Sequence, residues 1–121
     1  QMGHLNVQHY VGMYDQASVH LFAAFGLSHA HVRETNMGFA DVRHVIEYKS
    51  ELGPGTAVRM ESRVTGIGNS SVRHEHRLLD IDTDEVAATF EVVSVYFDLG
   101  ARKSAPLPQE FRDQAAAMMS K

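Results

Sequence analysis

Residues 7–25 read VQHYVGMYDQASVHLFAAF, and within them Tyr10, Met13, Tyr14, Ala17, Leu21 and Ala24 recur at steps of three and four, the period of an α-helix. Asn6 suits the N-cap, because its side-chain oxygen can accept from an unpaired backbone N–H, and Gly26 suits the left-handed residue beyond the last turn. Val11, Val19, Phe22 and Phe25 carry apolar surface past a single face. A helix of that kind is expected to be wrapped by other elements and largely buried.

Downstream the period changes to two. A polar connector at 28–36 contains His29 and His31, read as surface residues, and alternation then predicts a strand over 39–49. Glu51-Leu52-Gly53-Pro54-Gly55 is a turn, followed by a strand over 56–64 with Val58, Met60 and Val64 on one face and Arg59, Glu61 and Arg63 on the other. Gly66-Ile67-Gly68-Asn69-Ser70 reads as a second turn, and 72–81 alternates again with Arg73, Glu75 and Arg77 outward. His74 and His76 share the inward side of that strand. An acidic turn at 82–85 leads to a strand over 86–97 whose Ala-, Val- and Phe-rich composition suits a central, doubly covered position. Pro106 and Pro108 introduce a short helix over 109–119. The expectation is an α+β domain in which one long helix is wrapped by four strands in an antiparallel meander.

The remaining bounds come from composition. A chain of 121 residues, 44% hydrophobic and 21% charged, fits one globular domain spanning 1–121. A net charge of −4 supplies no positive field for a polyanion, so nucleic acid is not expected as a partner. Cysteine is absent, which excludes a thiol nucleophile and thiolate metal sites and suits a cytoplasmic setting. No apolar run approaches the roughly 20 residues of a membrane span, and the start Gln1-Met2-Gly3-His4 lacks a signal-peptide pattern.

Gly3-His4-Leu5-Asn6-Val7, Tyr10 and then Asp15-Gln16-Ala17 resemble the opening of the 4-hydroxybenzoyl-CoA thioesterase branch of the hotdog superfamily. Leu52-x-Pro54-Gly55, Gly68-Asn69-Ser70-Ser71-Val72, Lys103 and Pro106-Leu107-Pro108 follow in that family's order, so the resemblance covers nearly the whole chain. It implies a hotdog fold, hydrolysis of an acyl-CoA thioester without a cofactor, and a homodimer or homotetramer with sites built from two subunits. The family's first strand would lie upstream of residue 1. Its motif Asp would also fall one position before Gln1, so the carboxylate is either upstream, or another one such as Asp15, or the domain does not catalyse.

Thioester hydrolysis needs a carboxylate or activated water to attack the carbonyl, and donors for the oxyanion that forms. The first turn of a helix offers free N–H groups and a partial positive charge, so the N–H of Val7 is the first candidate for the oxyanion. Asp15 is the candidate carboxylate, against an outward Asp on a solvated stripe. His4 either positions the thioester carbonyl or braces the loop, and Asn6 either binds water or substrate or only caps the helix. Tyr10 and Tyr14 are core aromatics or the lining of an acyl pocket. Coenzyme A is expected on the Asn69-Ser70-Ser71 turn and on Arg102 and Lys103, against an ordinary turn and a solvated basic pair. An i, i+2 histidine pair can bind metal, but spacing identifies no further ligand for His74 and His76, and no metal site is expected. A domain that binds acyl-CoA without hydrolysing it is the alternative function.

Overall fold

The computed structural model describes residues 7–24, 26, 29–50, 52 and 55–119, and their side chains except those of 7–12, 15 and 29. Helix α1 spans Val7–Ala24 and is followed by α2 at His29–Thr35, where a polar connector was expected. Only Ala30 and Val32 are apolar in HAHVRET, so no amphipathic period marked it. The helix ends on Asn36, whose φ of 55° closes the last turn through its N–H to Val32 O.

The strands are β1 Met37–Tyr48, β2 Val58–Ile67, β3 Ser71–Asp80, β4 Val86–Asp98 and β5 Lys103–Ser104, and helix α3 spans Gln109–Met119 as its pattern predicted. All pairings are antiparallel, in the order β1-β4-β3-β2, with β5 also on β4. The expected four-strand meander is therefore corrected. β2, β3 and β4 are consecutive neighbours, but β1 crosses over to the far side of β4, and the two-residue β5 was missed. Alternation fixes which face a strand presents, not which strand it pairs with. β4 is central as expected, with Ala87, Ala88, Thr89 and Phe90 buried in succession.

Two bulges reset the alternation. The β1 register slips between Asp41 and Arg43, and the β2 register slips between Val64 and Gly66. The second extends β2 through Ile67, so the turn read from Gly66 narrows to residues 68–70.

α1 lies across one face of this sheet and joins two core clusters, but the expectation of a largely buried helix is corrected. Among its described side chains Tyr14, Ser18 and Leu21 are buried while Gln16, Val19, His20, Ala23 and Ala24 are exposed, because the sheet covers one side of it. Tyr14 belongs with Leu52, Leu78, Ala88, Phe90 and Val92, and Leu21 with Val64, Val72, Tyr96, Leu107, Phe111 and Ala115. Tyr14 stacks on Phe90 with ring centroids 5.2 Å apart. Complete burial of one such ring contributes about 2–3 kcal/mol. Gly26, with φ of 108°, ends α1 where a Cβ would sit 2.7 Å from Cε1 of Phe111, so only glycine lets α3 pack there. His31 is corrected from a surface residue: Nε2 lies 3.0 Å from the Tyr96 hydroxyl, and its ring rests on Phe111.

Candidate active site

The sheet register assembles a polar line beneath α1. Ser62 and His76 are cross-strand partners on β2 and β3, and Asp41 and Ser94 are partners on β1 and β4. His74 and His76 point the same way because they stand two apart on one strand. The bulge at Val42 matters most. Without it Asp41 and His44 would face opposite sides; with it both face α1.

The contacts run continuously. Ser62 Oγ lies 2.7 Å from His76 Nδ1, His76 Nε2 lies 2.7 Å from His74 Nδ1, and His74 Nε2 lies 2.8 Å from Ser94 Oγ. Ser94 donates to Asp41 Oδ1 at 2.5 Å. The other carboxylate oxygen receives the Tyr14 hydroxyl at 3.0 Å and His44 Nε2 at 3.1 Å. His74, His76 and Ser94 are at most 1% exposed, so each polar atom here depends on these partners.

Charge is distributed unevenly along the line. Burial pushes His74 down to about 4, which the Asp41 charge opposes and His44 reinforces. Burial also pushes His76 down to about 4, helped by His74 and opposed by Asp41. Both imidazoles are thus neutral at pH 7. Burial acts to raise Asp41, but the hydrogen bonds from Ser94, His44 and Tyr14, with the His44 charge, outweigh it and hold the carboxyl below its ordinary value.

Neutral rings fix the direction of every proton. Ser94 gives its hydrogen to Asp41 and must accept from His74 Nε2–H. His74 Nδ1 then accepts from His76 Nε2–H, and His76 Nδ1 accepts the Ser62 hydroxyl. The line runs from a serine hydroxyl to a carboxylate. All four ring nitrogens are engaged, and among the described residues no group of three or more His, Cys, Asp or Glu is arranged to hold a metal ion.

The residues selected from sequence are less gathered. His4 and Asn6 lie outside the described residues. Val7, Tyr10 and Asp15 lie on α1, at its first, fourth and ninth positions, with side chains outside the described set. Tyr14 is 2% exposed with its hydroxyl on Asp41, which makes it a core residue. Ser70 O accepts Tyr96 N–H, and Asn69 O accepts Leu107 N–H and Arg112 Nη1, so this turn is tied to β4 and α3. Ser71 opens β3, while Arg102, with φ of 63°, and Lys103 are exposed at the β4–β5 turn.

Those last residues share one end of the sheet, where Leu21 packs, whereas the start of α1 lies beyond Tyr14 at the other. An 18-residue helix spans about 27 Å, so one chain does not bring the two groups together. Asp41, His44, Ser62 and Ser94 were not singled out in the sequence. The bulge that gathers two of them leaves no local signature, and serine on an inward face reads as a lapse in alternation.

The thioesterase-like superfamily model matches residues 1–115. No curated protein matches the chain in sequence. The hypothetical protein SAV2348 from Staphylococcus aureus, in complex with CoA, superposes with a TM-score of 0.92 at 18% identity, over 99% of this chain and 75% of that one. The PA5185 protein from Pseudomonas aeruginosa strain PAO1 gives 0.81 at 27% identity, over 96% and 80%. A thioesterase from Thermus thermophilus, complexed with coenzyme A and Zn, gives 0.80 at 24% identity, over 98% and 84%. The α+β architecture, a curved antiparallel sheet packed around one long helix, is the hotdog fold of these structures. The chain belongs to the thioesterase-like superfamily.

Proposed function

We propose that this chain hydrolyses an acyl-coenzyme A thioester to the free acid and coenzyme A, with the start of α1 as the oxyanion site. One observation carries the reading: the described chain is helical from Val7 onward, and Val7 follows Gly3-His4-Leu5-Asn6 directly in sequence, so first-turn N–H groups would open where the motif is. The Val7 N–H takes the developing negative oxygen, His4 orients the carbonyl, and Asn6 caps the helix and holds water. Asp15 lies eight residues and about 12 Å further along, out of reach of a carbonyl held at Val7 of its own helix, so it is the carboxylate this chain offers to the attack in the site of a second copy.

Coenzyme A is assigned to Asn69, Ser70, Ser71, Arg102 and Lys103 of a second copy. β1 is an edge strand of 12 residues, with Val42 62% and Tyr48 46% exposed, and such an edge invites pairing. Antiparallel pairing of two β1 strands sets the partner's Met37 end beside this chain's Tyr48 end. The partner's β2–β3 turn then approaches the start of α1, which brings the two groups together in a homodimer. Two CoA-bound structural neighbours support the choice of ligand.

The test is release of free thiol from short- and medium-chain acyl-CoAs. Turnover is expected, and it should return when a Val7→Pro chain is mixed with an Arg102→Ala, Lys103→Ala chain, because a mixed dimer holds one intact site. Binding of acyl-CoA without thiol release would instead establish the non-catalytic function. No helix among the described residues is long and apolar enough to cross a membrane.

A further inference from the structure

Ser62 stands at the open end of the polar line. The carboxylate end is closed by Tyr14 and His44, but Ser62 is exposed and lines a groove of about 430 Å³ between α1, β2 and α3. The walls of the groove are mostly apolar, with Met13, Ala17 and Leu21 from α1, Met60 beside Ser62 and Met118 from α3; Gln16 and His20 add polar groups. Unbranched methionine side chains make an adaptable lining for an alkyl chain.

A serine hydroxyl is a weak nucleophile until a base takes its proton, and the base must present a free lone pair within hydrogen-bond reach. His76 Nδ1 does so at 2.7 Å. Its orientation is set from behind: His76 Nε2–H is spent on His74, His74 Nε2–H on Ser94, and the Ser94 hydroxyl on Asp41. Burial keeps the imidazole unprotonated at rest but also weakens it as a base, and the Asp41 charge behind His74 and Ser94 is what favours the imidazolium that forms when Ser62 gives up its proton. The arrangement has the roles of nucleophile, base and orienting carboxylate, with two extra members inserted.

We propose that Ser62 is the nucleophile of a second acyl-transfer site, taking an activated ester or thioester whose apolar acyl chain lies in the α1–β2–α3 groove. Ser62 Oγ bonds to the carbonyl carbon, and its proton passes to His76 Nδ1. The carbon–sulfur or carbon–oxygen bond breaks, and the leaving thiolate or alkoxide takes that proton, giving acyl-Ser62 and a free thiol or alcohol. Water then adds to the acyl-serine, releasing the carboxylic acid and restoring the hydroxyl. Ser62 and His76 are the catalytic residues; His74, Ser94 and Asp41 are positioning residues. This site is separate from the start of α1.

The experiment is labelling of the intact chain with a long-chain alkyl fluorophosphonate, followed by intact mass and peptide mapping, independently of any acyl-CoA turnover. One adduct is expected on Ser62, absent in Ser62→Ala. Asp41→Asn keeps the shape of the side chain and should slow the inactivation rate constant about tenfold while leaving the saturating probe concentration unchanged. Ser94→Ala, which cuts the line one residue earlier, should do the same if Asp41→Asn does not fold. Failure to label Ser62, or labelling at a rate that neither variant alters, would overturn the proposal and leave the thioesterase reading at the helix start standing.

Discussion

His44 Nε2 reaches Asp41 Oδ2 at 3.1 Å across only three positions of β1, because the bulge at Val42 turns both side chains to the same face of the sheet. Tyr14 from α1 meets the same oxygen, so this carboxylate ties the helix to the edge strand.

Tyr14→Phe keeps the stacked ring on Phe90 and removes only that hydroxyl. A hydrogen bond to a charged group is worth about 1.5–3 kcal/mol. Urea unfolding at pH 7 should show a loss at the lower end of that range, since Ser94 and His44 still bond Asp41. An unchanged midpoint would mean that Tyr14 contributes packing alone.

Stability should fall between pH 6.5 and about 4. His74 and His76 titrate near 4 when folded against 6.5 ordinarily, so across that window the unfolded chain binds more protons and acid favours it. The stabilisation is fully present above 6.5 and lost as pH falls toward 4. Asp41, held below its ordinary value, acts in the same direction at still lower pH. Urea midpoints at pH 7.5, 5.5 and 4.5 read the slope, and a flat series would contradict neutral buried histidines.

Val7→Pro tests the oxyanion role directly. Proline is tolerated at the first position of a helix and has no N–H, so it deletes the donor while leaving α1 in place. Acyl-CoA turnover should drop about 100- to 1000-fold, with little change in thermal midpoint. A parallel loss of stability would assign the effect to the helix instead.

Gly26→Ala should destabilise by about 2 kcal/mol, because it adds a methyl into the Phe111 ring at a backbone angle that suits glycine. Calorimetry measures it. A variant as stable as the parent would mean that α3 shifts freely.

Val42→Lys with Tyr48→Lys places two charges along the exposed edge of β1. If that edge pairs two copies, sedimentation should show the mass halved, with the far-ultraviolet spectrum retained. Retention of the dimer mass would move the interface elsewhere.

The sequence by itself determined α1, its glycine stop, α3, the long strands and the inward face carrying His74 and His76, because those features rest on local period and backbone angle. It also carried the family resemblance, through a motif contiguous along the chain. Tertiary structure alone decided that β1 crosses to β4, that α2 exists, and that Ser62, Asp41, His44 and Ser94 meet the histidines. Strand pairing and bulges are settled by competition among distant segments for the same backbone partners and the same buried face, and no stretch of sequence read alone records that outcome.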